Sequence, residues 1–402
     1  MLNFKSMAGP IRRNPQIGIM LSIVALVMSG NGFVAPMLSA YASTFGASST
    51  LAGMVITVFG VARLFVNYPA GALSQRHGRR PLLGAGLSII AVGSVGAALA
   101  HTIEWLLFWR FVQGAGSGIY MTVAVAAMAD LARRGDRAAI LSMQQAATWL
   151  GAGLGPAVGG FLAEHMGISA PFWAYAVVGG TGALLVSLCL NETAASGDSD
   201  ESAADSPEVS VSSMDLPVFS SVCFLYFMTF FTRTASQWLL IPQLAIGRHK
   251  MGMDTVGVAL TVLVVGTFAL LPVSAKFINR YGAGLATEIS VLITAAALMV
   301  MAVGEAPEWF WIGIILLGVG MGGNSSATSV LAVDILPRQR YGHGIGMLRT
   351  FGDAGFVVGP IVVGILGDFS PAGPVGGLTL NALLLTLSVV IFAFVHRRSP
   401  VT

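Results

Sequence analysis

The sequence predicts an all-α membrane protein of twelve transmembrane helices in two pseudo-symmetric six-helix bundles, and three observations predict it. Only 10% of the 402 residues are charged and 55% are hydrophobic, whereas a soluble domain carries about 25% charged residues. Apolar stretches long enough to cross a hydrocarbon core roughly 30 Å thick, about 20 residues of helix, recur along the chain. Features of the first part also return 204 residues later, Gly155-Pro156 as Gly359-Pro360 among them.

Each stretch reads as a helix because a single helix pairs its own backbone groups in lipid. The first six spans lie near residues 17–40, 49–70, 81–101, 104–130, 138–163 and 170–190, and the second six near 217–246, 253–274, 284–303, 309–335, 343–367 and 375–395. Lys5, Arg12 and Arg13 precede span 1, which ends near Ala40-Tyr41-Ala42 like a signal peptide. Its apolar run exceeds the 7 to 15 residues of such a peptide. It reads as a helix, and the repeat requires one there. Residues 192–215 are acidic, rich in serine and without an aromatic residue, a composition that cannot bury enough apolar area to fold. They read as a solvated linker between a bundle of residues 1–191 and a bundle of residues 216–402.

The repeat tests whether the bundles are copies. At the 204-residue offset Gly78 falls on Gly282, Gly114, Gly116 and Gly118 on Gly318, Gly320 and Gly322, and Asp130 on Asp334. In spans 1 and 7 the offset drifts to 206, pairing Pro36 with Pro242. With 50 glycines single matches are easy by chance. A register shared across several spans is not.

Basic residues are retained in cytoplasmic loops. With both termini inside, 15 of the 21 Lys and Arg fall in cytoplasmic segments, only Arg248 and Lys250 fall outside, and Arg63, Arg110, Arg233 and Arg349 lie within spans. The net charge of +3 thus describes topology and gives no sign of nucleic-acid binding. Cys189 and Cys223, both in apolar spans, indicate neither a disulfide framework nor a cysteine metal site.

Three motifs in the first half resemble signatures of the major facilitator superfamily, and the resemblance covers essentially the whole chain. The loop after span 2, GALSQRHGRRPLL from Gly71 to Leu83, is similar to G-x-L-a-D-r-x-G-r-k-x-x-l; Arg110 to Gly114 in span 4 is similar to R-x-x-q-G; and Gly151 to Gly160 in span 5 matches the antiporter signature G-x-x-x-G-P-x-x-G-G. The resemblance implies that Arg79 pairs with Asp130 as a latch. Gln75 stands where the family has aspartate, which removes the charge that would meet the N-terminus of helix 11. It also implies that Gly151, Gly155, Pro156 and Gly159 in span 5 and Gly355, Gly359 and Pro360 in span 11 line the seams toward spans 8 and 2. Glycines at i, i+4 and i+8 make one smooth face for a neighbouring backbone. Proline removes a donor and favours a bend there. The bland alternatives are tight packing for the stripe and topology determination for the arginines.

Charges inside helices cost about 2.5 to 3.5 kcal/mol at mid-span on insertion scales and are functional candidates by default. Arg110, which the resemblance links to proton handling or substrate charge, could equally be a buried residue bonded to carbonyls of span 1. Arg233 lies near Gln237 and Trp238, and in the family span 7 lines the substrate cavity; snorkelling is the alternative. Asp353 is the one acid near the middle of a span, hence the proton-carrier candidate. Arg349, four residues earlier on the same face, would favour its ionised form. Asn31, Gln113, Asn324 and Ser325 complete the polar set that the resemblance places around a central site, built from spans 1, 4, 7 and 10 as in other repeat-built transporters.

No phosphate-binding loop of the G-x-x-x-x-G-K-[ST] kind and no nucleophile-base-acid arrangement is present, so neither ATP drive nor enzyme chemistry is expected. No cofactor is implied. The favoured expectation is export of a small amphiphilic molecule in exchange for protons, by a monomer in the plasma membrane. Four intramembrane arginines against one aspartate also suit uptake or exchange of an organic anion. A third possibility is a transporter-derived sensor or assembly partner that moves nothing.

Overall fold

The computed structural model describes residues 11, 13–132, 136–193, 216–335 and 341–397. The remainder of the linker expected from residue 192 onward, residues 194–215, lies outside them, as do Arg12, Arg133, Arg134, Arg338, Arg340 and Arg398. The described residues form helices and turns with no strand.

Helix α1 (Pro15–Thr44) begins where the Asn14 side chain accepts the Gln16 N–H at 3.1 Å, with Pro15 as the first helical residue. Such a cap satisfies one of the free N–H groups of the first turn. The helix tightens to a 3-10 turn at Ala35–Met37, around Pro36. There follow α2 (Ser49–His77), α3 (Arg79–Ala98), α4 (Ile103–Leu131), α5 (Arg137–Met166) and α6 (Ala170–Cys189). The second six are α7 (Leu216–Gly247), α8 (Met253–Tyr281), α9 (Ala283–Val303), α10 (Pro307–Ile335), α11 (Tyr341–Phe369) and α12 (Gly373–His396). Helix α8 bends by 42° at Leu270, just before Pro272. Ten described helices, or eleven with α8 counted as one span, are long and apolar enough to cross a membrane, and α10, with 29 residues, is the twelfth long helix.

Both sets of six pack by the same scheme. Among the first six, α1 contacts α5 and α6, and α3 contacts α4 and α6; among the second, α7 contacts α11 and α12, and α9 contacts α10 and α12. The repeat reaches individual atoms. A Cβ at Gly114 or Gly118 would meet the backbone of Phe59 or Arg63, and a Cβ at Gly318 or Gly322 that of Leu263 or Thr267, each group 204 residues on. Gly78 and Gly282, which open α3 and α9, have φ of +92° and +85°. Only glycine adopts that backbone without strain, so the same turn chemistry is written twice.

The chain divides into two compact units. Unit 1 holds residues 1–47, 54–199 and 252–261, and unit 2 holds 48–53, 200–251 and 262–402. The first turn of α2 therefore belongs to unit 2 and the first part of α8, residues 253–261, to unit 1, a partition that the hydrophobic pattern does not contain.

Candidate functional site

In unit 1, Arg110 is buried at 1% exposure. Its Nε donates to the Val55 carbonyl at 3.3 Å, Nη1 donates to Gln113 Oε1, and the guanidinium sits 4.4 Å from the Phe59 ring centroid. Gln113 Nε2 donates to Ser94 Oγ at 2.6 Å. The carbonyl expected from span 1 comes from α2, because the close approach at Gly114 brings the α2 backbone against α4. Arg110 and Gln113, both expected to contact substrate, present no surface to a solute in this conformation. Asn31 on α1 is half-buried.

In unit 2, α7 widens to a π-turn at Arg233–Leu240, where the Ile241 N–H bonds the Ser236 carbonyl five residues back. Such insertions stack residues five apart. The Arg233 guanidinium accordingly lies 5.9 Å from the Trp238 ring centroid, within cation–π range. The Trp238 ring meets Phe356 of α11 edge-on at 5.4 Å. The turn is held by Asn381 of α12, a buried residue that sequence reasoning missed: its Nδ2 donates to Ser236 Oγ at 2.6 Å and its Oδ1 accepts from Thr232 Oγ1 at 3.1 Å. Gln237 is buried, and Asn324 donates to Thr229 Oγ1 at 2.8 Å while accepting from Thr328 Oγ1 at 2.7 Å. The side chain of Ser325 lies outside the described set. On α11, Arg349 is exposed and Asp353 half-buried. Tyr226 of α7, also missed, has its ring where a Cβ at Gly352 would be, in the field of Arg233, Arg349 and Asp353.

The loop between α2 and α3 is a second polar centre of unit 1. Arg79 Nε donates to Asp130 Oδ2 at 2.9 Å, and its Nη1 donates to Ser74 Oγ, whose hydroxyl bonds the Gly71 carbonyl at 2.8 Å. Gln75 is exposed. Glu192, read from sequence as the first linker residue, is an anchor: it accepts the backbone N–H of Arg79 at 2.6 Å and of Arg80 at 3.2 Å. A carboxylate there meets the free N–H groups and positive dipole end of α3.

The glycine stripes are displaced from where the resemblance put them. Gly151, Gly155 and Gly159 face α1, where a Cβ on each would strike the backbone of residues 25 to 33, and Gly355 and Gly359 likewise face α7 at Phe227 and Phe231. The α5–α8 contact is made by the neighbouring face. A Cβ at Gly257 would overlap the Pro156 carbonyl, one at Gly160 the Met253 carbonyl, and Thr261 Oγ1 accepts the Ala157 N–H at 3.0 Å. In unit 2 the same face of α11 meets α2: a Cβ at Gly53 would overlap the Pro360 carbonyl, and one at Gly364 would meet the Ser49 carbonyl. The reason is helical phase, since one residue rotates the face by about 100°. Pro156 and Pro360 thus touch α8 and α2, while the stripes pack against α1 and α7, and all four contacts lie within one unit each.

Known proteins share this arrangement. An uncharacterized MFS-type transporter of Methanocaldococcus jannaschii is 26% identical over 351 residues, 85% of this chain and 88% of that protein. Multidrug resistance protein 1 of Bacillus subtilis is 22% identical over 393 residues, 96% of this chain and 99% of that protein. Among solved structures, a bacterial homolog of the human lysosomal transporter Spinster superposes with a TM-score of 0.79 at 14% identity, covering 97% of this chain and 98% of that one. Residues 20–231 and 218–402 each match the model of the Major Facilitator Superfamily, and on that coverage, with twelve helices packed as two like sets, the chain belongs to this superfamily of membrane transporters.

Proposed function

We propose that the protein is a proton-coupled exporter of a small amphiphilic molecule, working by alternating access. In this reading it acts as a monomer in the plasma membrane, with both termini and residues 192–215 cytoplasmic and the bundles of residues 1–191 and 216–402 tilting against each other. The observation that carries it is the repeat-related pair of proline carbonyls, Pro156 against Gly257 and Pro360 against Gly53, each partner 204 residues from its counterpart. Contacts between helix surfaces lined by glycine can slide. The antiporter-like run from Gly151 to Gly160 and the likeness to a multidrug resistance protein along the full chain support export.

Arg233 and Trp238, half-buried and stacked, offer a cation and a ring edge to a solute, and Asn31 is a polar contact in unit 1. Arg110, Gln113, Gln237 and Asn324 shape the surroundings from buried positions. Asp353 is the proton carrier in this reading, with Arg349 on its helix face, and Arg79 with Asp130 latches the loop end of unit 1.

One observation favours a second reading, uptake or exchange of an organic anion: the mid-span charges of α7 and α11 are two cations, Arg233 and Arg349, against the acid Asp353. Inside-out vesicles under an imposed pH gradient, tested with a panel of small amphiphiles and organic anions, separate the readings. Uptake that follows the gradient supports export by proton exchange, and anion exchange indifferent to it supports the second. Absence of flux for the whole panel overturns both and leaves a sensor or assembly partner.

A further inference from the structure

Two carboxylates lie at the helix ends that carry the α1–α2, α5–α6, α7–α8 and α11–α12 loops, and no sequence motif includes either. Glu164, near the end of α5, accepts the Met253 N–H at 2.7 Å, at the first residue of α8. Asp368, near the end of α11, accepts the Ser49 N–H at 2.7 Å and the Thr50 N–H at 3.0 Å, at the first residues of α2. Glu164 and Asp368 are 204 positions apart, and so are Ser49 and Met253. The pair therefore obeys the internal repeat.

Each contact joins segments remote in sequence, 89 residues apart in one case and 319 in the other. Each lies inside one unit, yet each grips a helix that crosses to the other: α2 passes from unit 2 to unit 1 after Gly53, and α8 from unit 1 to unit 2 after Thr261. The grip is electrostatically sound, because the first N–H groups of a helix have no intrahelical acceptor and its N-terminus carries about half a positive charge. The approach needs small residues, and Gly160 and Gly364, one turn before the carboxylates, supply it.

We infer that Glu164 and Asp368 are a repeat-related pair of gate residues, positioning groups that hold the first turns of α8 and α2 and release them together when the transporter opens. The inference rests on the alternating-access reading, since units that never moved would use these carboxylates only as helix caps. Coupled release separates the two roles. A cap acts on its own helix, whereas a gate is a two-state element on which both contacts report, and coupling between two sites is reciprocal.

Hydrogen–deuterium exchange of the purified full-length protein in lipid nanodiscs tests this. Glu164→Gln is expected to speed amide exchange about two- to fivefold at residues 253–257, the scale of a charge removed from a helix terminus, and to raise it also at residues 49–53. Asp368→Asn is expected to do the reverse, with α3 and α9 unchanged in both variants and Glu164→Asp restoring much of the protection. Faster exchange confined to the helix that lost its own carboxylate, or at neither helix, overturns the inference. Should Glu164→Gln fail to fold, Asp368→Asn alone is read by the same criterion. The readout needs no substrate: coupled exchange in a protein without flux would sink the transport reading and keep the gate, and local exchange with flux intact would do the opposite.

Discussion

At the scale of single residues, the polar groups inside this protein act mostly on one another. Asn381 is the clearest case, since it spends both ends of its amide on the π-turn that stacks Arg233 over Trp238. Replacing Asn381 with leucine leaves the Ser236 and Thr232 hydroxyls without that partner, which costs about 1–3 kcal/mol per group left unsatisfied. The expected result is a lower thermal midpoint in detergent together with a changed Trp238 emission, and an unchanged emission would contradict the link between α12 and the stack. His249, beyond the end of α7, is a second case. Burial and then the neighbouring Arg248 hold its imidazole below the usual value of 6.5, and its Nε2 finds no hydrogen-bond partner among the described residues. The unfolded chain binds this proton more readily than the folded one, so the stability contributed is full above pH 6.5 and declines as pH falls through the range below it. His249→Phe keeps the ring against Phe310 and removes the proton. Its thermal midpoint is expected to fall less than that of wild type between pH 7.5 and 5.5, values that bracket an ordinary histidine.

At the scale of helices, the decisive quantity is how closely two backbones approach. Gly257→Ala and Gly53→Ala each place a methyl group on a proline carbonyl, and overpacking of this kind costs about 1–3 kcal/mol. Gly84→Ala, in open space on α3, is the matched control. Transport by the first two variants is expected to drop at normal protein level while the control stays at wild-type rate; equal rates in all three would mean that these contacts do not move. The Arg79–Asp130 pair belongs to this scale because it ties the loop before α3 to the end of α4. Asp130→Asn keeps the shape and loses the charge. A fall in transport with folding retained is expected, and wild-type flux would reduce the pair to a surface contact worth about 1 kcal/mol or less.

At the scale of the whole molecule, the proposed orientation rests on the positive-charge bias, and the expectation that residues 192–215 face the cytoplasm can be checked without a substrate. The segment holds glutamates and no lysine or arginine, so a glutamate-specific protease should cut within it and split the chain into two halves in inside-out vesicles, and leave it uncut in right-side-out ones, where the exposed Glu305 between α9 and α10 is the expected site instead. The sequence by itself determined the class, the spans and the repeat, because hydropathy, positive-charge bias and a constant 204-residue offset are local or periodic properties. It also placed Arg79 with Asp130, through a motif. It did not yield the face on which the glycine stripes pack, for that depends on helical phase against a partner. Nor did it yield the roles of Glu164, Asp368 and Glu192, whose partners are backbone N–H groups that carry no residue identity, although the first two share the repeat offset that could have flagged them. Only the tertiary structure decided those, since it alone brings a carboxylate on one helix to the unpaired first turn of another 89 or 319 residues away.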